Sequence, residues 1–197
     1  MKEITPTRTA ALELKEERRA MQEGYEFLDE KRLLLAAEML RELQRYERER
    51  AALLEALARA AKALQAACAR HGLHGVQVYP AARLENVRLQ VAPRRLLGVQ
   101  LQEARLEMES AAAPPALHPS VEAEQCRGAF LELTQRSASL AATAGNLERL
   151  RGEYRRTERR ARALEDVFMP EIDQELYEVE SRLEEVEQEE AVRVRQR

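Results

Sequence analysis

The 197-residue chain has 34% charged residues, 4% aromatics and no tryptophan, a balance that excludes a thick globular core. Its formal net charge of -3 excludes a global field suited to nucleic acid or an anionic membrane. No apolar run approaches the roughly 20 residues needed to cross a bilayer, so no membrane span is expected. The 45% apolar content, placed at regular spacing, speaks against disorder. Met1-Lys2-Glu3-Ile4 offers no apolar signal core, and Cys68 and Cys126 do not make a disulfide framework. A cytosolic chain with free thiols is expected.

The first arm covers residues 7–69. Ala11, Leu14, Arg18, Met21, Tyr25, Leu28, Arg32, Leu35 and Met39 are spaced alternately three and four apart, which makes a heptad seam. The next apolar step is four, to Leu43, and the pattern resumes through Tyr46, Arg50, Leu53, Leu57, Ala60, Leu64 and Ala67. Such a stutter locally unwinds a left-handed supercoil. Thr7 and Thr9 are candidate N-caps, and Gly72 stands just past the end. A helix of this length measures about 90 Å at roughly 1.5 Å per residue, too long for an element buried in a compact domain.

An insert follows, residues 71–119, with a different period. Val87, Leu89 and Val91 alternate with Arg88 and Gln90; Leu97, Val99 and Leu101 alternate with Gly98 and Gln100. Period two predicts strands, and Ala92-Pro93-Arg94-Arg95-Leu96 is the expected turn of a small β-hairpin.

The second arm starts after Pro114-Pro115 and Pro119, with Ser120 as N-cap. Its apolar positions include Phe130, Leu133, Leu140, Leu147, Leu150, Tyr154, Ala161, Leu164, Phe168, Ile172, Val179 and Val186. Pro170 sits inside this pattern, which continues on both sides without turn residues; one helix kinked near Pro170 is expected, the alternative being two separate helices. The reading is all-α: two long antiparallel helices forming a coiled coil, with a small β-hairpin-containing insert at the connected end. Three parts follow: an N-terminal arm 1–70, the insert 71–119 and a C-terminal arm 120–197. Antiparallel pairing sets residues 51–69 against roughly 125–143, both rich in small side chains that let helix axes approach closely.

Little in the chain suggests chemistry. His71, His74 and His118 lack the cysteines or carboxylates that complete a zinc set, and the seven glycines are scattered, with no phosphate-cradling loop. No cofactor is expected. Glu184, Glu185, Glu187, Glu189 and Glu190 read as a solvated helical face. Arg149, Arg151, Arg155, Arg156, Arg159, Arg160 and Arg162 form a basic stripe with little aromatic interleaving, which favours acidic side chains of a partner over phosphates.

Three segments carry a resemblance. The opening, with Pro6-Thr7-Arg8, Leu12 and Leu14-Lys15, is similar to the start of the D subunits of V/A-type rotary ATPases. Arg95-Leu96-Leu97-Gly98-Val99 resembles their apolar-apolar-Gly-Val stretch. The run Arg159-Arg160-Ala161-Arg162-Ala163-Leu164-Glu165, then Pro170-Glu171-Ile172, resembles their arginine-rich run and Pro-Glu-Ile. Arg162 stands where asparagine is usual, and residues 110–119 do not align.

The resemblance covers nearly the whole chain and implies a non-catalytic central rotor shaft. Such a shaft couples ATP hydrolysis or synthesis to proton or sodium ion movement. The implied partners are the catalytic and non-catalytic ring subunits, a small central-stalk subunit and a membrane-ring adaptor. The implied place is cytoplasmic and peripheral to the membrane, with both termini in the catalytic ring. Candidate partner-contact residues are Thr7, Arg8, Arg151, Arg155, Arg159, Arg162, Glu189 and Arg193. The competing readings are a non-rotary coiled-coil scaffold or adaptor and, third, a nucleic-acid-binding coiled coil.

Overall fold

The computed structural model describes residues 6–80, 87–108 and 115–195. Met1-Lys2-Glu3-Ile4, and Pro114 of the breaker cluster, lie outside the described residues. Helix α1 runs Arg8–Val78, strands β1 and β2 cover Val87–Leu96 and Val99–Met108, and helices α2 and α3 cover Val121–Ala163 and Met169–Arg195. A π-helical turn, Leu164–Phe168, joins α2 to α3. The fold is therefore two long helical arms with a two-stranded antiparallel hairpin between them.

The helix ends follow from local chemistry. Thr7 caps α1: its Oγ1 accepts the Ala10 N–H at 3.1 Å, and its carbonyl accepts that of Ala11. Ser120 caps α2 in the same way, accepting the Ala123 N–H at 3.2 Å. Within α1 the helical path breaks at Gly72, whose φ of 72° and ψ of 164° fall in a region open essentially to glycine alone. Pro170 has no N–H to offer the carbonyl of Asp166, and a regular helix would press its ring against that group. The turn just before it is widened, with the Met169 N–H bonding Leu164 O. A π turn of this kind lets the helix continue through the proline.

The chain divides into two compact units, one joining Met1–Ala36 to Glu153–Arg197 and the other comprising Ala37–Gly152. In the first unit Ala11, Leu14 and Val179 form a buried cluster flanked by Leu176 and Leu183. Ion pairs brace it: Arg8 to Glu187 at 2.6 Å, Lys15 to Glu180 at 2.7 Å, and Arg18 to Asp173. Lys31 and Glu153 pair at 2.6 Å and are far better shielded from water than those three. Position rises along α1 as the partner's falls, from Arg8 with Glu187 to Lys31 with Glu153, so the pairing is antiparallel.

The second unit is also antiparallel. Glu49 accepts from Ser139 and Thr143, Arg59 pairs with Glu132 at 2.9 Å, and His71 Nε2 is 2.6 Å from Ser120 Oγ. The buried positions of α1 here are Ala56, Ala60 and Ala67. Leu57 and Leu64, expected in the seam, are instead 49% and 36% exposed. The seam lies one residue earlier at the first of these steps, since the contact between closely spaced axes is filled by alanine while leucine flanks it. Leu43 is likewise displaced: it is exposed, and Glu38 and Glu42 are buried in its place.

The turn of the hairpin also corrects the expectation. It is not Ala92 to Leu96 but the two-residue loop Leu97-Gly98, with φ of 48° and 86°. Two positive φ angles in a two-residue loop match a type I′ turn, whose twist suits antiparallel strands. Leucine is an unusual first residue there, so the dipeptide carried no turn signal. Pro93 lies inside β1, opposite Gln102.

Arg136 and then Arg59 hold the Glu132 carboxyl below its usual range, against an opposing contribution from burial. A depressed folded-state value stabilises above the unfolded value, near 4.3, and this contribution is lost as pH falls through the folded one. Glu132→Gln should therefore lower the melting temperature at pH 7. The gap to wild type should close as the pH is taken below about 4, measured by circular dichroism melts.

Candidate partner-contact surface

The hairpin is fastened to the helices of its own unit by an asparagine clasp, by buried apolar side chains and by ion pairs. Asn146 of α2 presents its amide to the backbone of Gln102. The Gln102 N–H donates to Asn146 Oδ1 at 2.7 Å, and Asn146 Nδ2 donates to the Gln102 carbonyl at 2.9 Å. Arg149 completes the clasp, reaching Asn146 Oδ1 at 3.1 Å and Gln102 Oε1 at 3.0 Å. Asn146 thus acts as a one-residue strand at the edge of β2. Because both backbone groups of Gln102 turn outward, the Gln102–Pro93 pair is one that exchanges no ladder hydrogen bonds. Pro93 therefore removes no ladder bond from β1, and the strand passes through it.

The apolar contact comes from the other strand face of the hairpin, where Val99 and Leu101 are buried. Beside them Arg94 of β1 reaches Glu38 at 2.5 Å and Glu42 at 3.5 Å. Glu38 also receives Arg41 at 3.1 Å, while Glu42 Oε2 is buried with no hydrogen-bond partner among the described residues. Two carboxylates one helical turn apart share one guanidinium that is itself half exposed. Arg45 adds bonds to Glu49 at 3.0 Å and Glu103 at 3.6 Å. Sequence pattern did not mark this cluster: a glutamate in a heptad position reads as a surface residue until its arginine arrives from 56 residues away.

The expected contact residues do not converge on one site. Thr7 is spent on capping α1, and Arg8 on Glu187, whose hydrogen bond and charge raise the arginine's pKa further. Arg151 is 3.6 Å from Glu148, Arg162 is 2.8 Å from Glu158, and Glu189 is 3.8 Å from Arg193. Arg155 and Arg159, one turn apart on α2, are exposed and join no ion pair among the described residues. The stripe is thus partly neutralised along its own helix.

An open apolar cavity of about 330 Å³ lies within the second unit, lined by Ala67, Val76, Tyr79, Cys126 and Phe130. Burial pushes the Cys126 thiol pKa up, and the neighbouring Cys68 adds to the rise. Among the described residues, no group of three or more His, Cys, Asp or Glu side chains could hold a metal ion. No helix among them is long and apolar enough to cross a membrane.

Asn146→Ala should release the hairpin from α2. Losing both bonds to Gln102 costs about 1–3 kcal/mol. In hydrogen exchange the Gln102 amide should lose its protection, while amides of α2 itself keep theirs.

The sequence profile of the ATP synthase D subunit matches residues 10–196. The chain is 25% identical to the D subunit of a V-type ATP synthase from Thermotoga neapolitana, covering 98% of this chain and 95% of that one. It is 32% identical to the V-type D subunit of Anaeromyxobacter dehalogenans strain 2CP-1, covering 99% and 95%. Against the D subunit of an A-type ATP synthase from Methanopyrus kandleri the identity is 26%, covering 99% and 85%. With a profile match over nearly its full length and relatives that align end to end, the chain belongs to the family of ATP synthase D subunits.

Proposed function

We propose that this chain is the central rotor shaft of a V/A-type ATPase or ATP synthase. It couples ATP hydrolysis or synthesis in a ring of nucleotide-binding subunits to the movement of protons or sodium ions. The observation that carries the reading is the antiparallel pairing of the two arms in both units, in a chain of the D-subunit family. Two paired helices resist torsion, whereas a single helix twists. The chain itself performs no chemistry in this reading. It works as a mechanical part, on the cytoplasmic face and peripheral to the membrane.

Its partners are the catalytic and non-catalytic ring subunits, a small central-stalk subunit and an adaptor on the membrane ring. The end bearing both termini enters the catalytic ring. There Arg8, Glu189 and Arg193 supply exposed charges, and Arg155, Arg159 and Arg162 meet acidic side chains further along. Contacts of this kind are shallow and screened, so they guide a turning part without locking it at one angle. The exposed apolar side chains Phe27, Leu33 and Leu40, between 62% and 66% accessible, fit a chain that works inside an assembly.

The test compares the purified chain with the reconstituted complex. The isolated chain should show no ATP turnover. Deleting residues 189–197 should leave assembly intact but reduce ion movement per ATP hydrolysed. Leu164→Pro, costing about 3 kcal/mol or more from the backbone alone, should uncouple or disassemble the complex. Sustained turnover by the pure chain, or a chain that never joins nucleotide-binding subunits, would overturn the reading; the second result would favour a free-standing scaffold.

A further inference from the structure

The hairpin has two unlike faces and, among the described residues, one uncovered edge. The face carrying Leu96, Val99 and Leu101 packs inward, with Arg94 beside it on Glu38. Cross-strand partners share a face, so Leu89 with Leu106 and Val91 with Ala104 lie on the opposite side. There Leu89 is 56% and Val91 44% exposed. An apolar face is thus turned outward on the strand farther from Asn146.

The backbone repeats the asymmetry. Gln102 gives both its groups to Asn146, so its pair with Pro93 exchanges no ladder bond, and neither do the pairs two and four residues on. The N–H and carbonyl of Leu89 and Val91 therefore point away from β2, along the outer edge of β1. From Arg88 to Arg95 every residue of that strand is exposed. Natural sheets blunt such edges with proline, charge or a covering element. Here Pro93 guards the turn end only, and β2 rather than β1 carries the covered edge.

Charge selects the occupant. Strand β1 reads Val-Arg-Leu-Gln-Val-Ala-Pro-Arg-Arg-Leu, three arginines and no acid. Arg94 is committed to Glu38, which leaves Arg88 and Arg95 exposed. We propose that the outer edge of β1 receives a third strand, an extended acid-bearing segment from another subunit of the same complex. Its backbone pairs with Leu89 and Val91, its apolar side chains continue their face, and its carboxylates lie beside Arg88. Strand addition of this kind draws affinity from main-chain bonds and specificity from alternate side chains. The proposal rests on the chain working as a subunit of an assembly.

Residue-resolved hydrogen exchange on the isolated chain and on the reconstituted complex tests it. In the isolated chain the Gln90 and Ala92 amides should exchange slowly and those of Leu89 and Val91 fast. In the complex the Leu89 and Val91 amides should slow by about tenfold or more, as bonded amides do. A photo-crosslinker at Leu89 should then reach another subunit. Val91→Pro removes an outward N–H without removing a ladder bond, and slow Gln90 exchange in the isolated variant verifies that the hairpin survives. In the complex this variant should lose the protection at Leu89, and Arg88→Glu, which leaves the backbone untouched, should weaken it. Fast exchange at Leu89 and Val91 in an assembled, ATP-hydrolysing complex overturns the proposal alone. So does protection that survives both variants. A chain that fails to join the complex overturns the rotor reading and the docking strand with it.

Discussion

Everything in this molecule depends on how two long helices find enough buried contact to stay paired. A two-helix seam is narrow, and only a stripe of each helix leaves water. The second unit answers with alanine: Ala56, Ala60 and Ala67 on α1 are at most 1% exposed. Small side chains bring the axes together, so backbone and Cβ atoms make the dispersion contacts that larger residues would otherwise supply. The first unit uses a different solution, Leu14 and Val179 in the seam and cross-arm ion pairs beside it. Those surface pairs add little energy each, about 0–1 kcal/mol, but they penalise any register in which like charges meet.

Register is the harder problem, because alanine on alanine fits equally well one turn up or down. Polar groups buried in or beside the seam remove that freedom. Thr143 bonds Glu49 across the pair at 2.7 Å, and Asn146 holds a single backbone position of β2. Sliding either helix would strand these groups without partners, which costs more than the bonds gain when made. The Glu38 and Glu42 pair works in the same sense. Without Arg94, Glu42 would be buried without that cation and Glu38 would keep only the exposed Arg41, so the hairpin is favoured where its guanidinium reaches both.

The arms were legible in the sequence because periodicity reports directly on which side of a helix is dry. Ala11, Leu14, Leu35, Leu150, Ile172 and Val179, all on the apolar spacing, are all buried. The caps at Thr7 and Ser120 were legible for a similar reason, since capping is local chemistry. The pattern misled where apolar identity and burial part company: Leu57 and Leu64 are apolar but flank the seam, while Glu38 and Glu42 are charged but lie beneath the hairpin. The turn at Leu97-Gly98 was hidden because Pro93 looks like a breaker until the strand pairing shows that its missing N–H would have faced outward. None of the eight expected contact residues signalled the Asn146 clasp. An asparagine among alanines and serines has no pattern to break.

The same economy of burial that makes the pairing narrow bears on what the chain can do. Leu12, Phe27, Leu33 and Leu40 stay between 61% and 66% exposed because two helices have no third surface to offer them. Scattered singly, such residues do not drive association of the isolated chain, yet inside an assembly they add contact area that breaks and re-forms at modest cost. The hairpin edge is of another kind. Main-chain bonding at Leu89 and Val91 is directional and tolerates little displacement, so a partner held there must move together with the chain. The proposed shaft needs both sorts of surface: shallow contacts toward what stays still, and register-fixing contacts toward what would rotate with it. For the shaft proposed above, the distinction between the exposed seam flanks and the β1 edge puts the proposed third strand on a component that turns with the chain rather than on the ring around it.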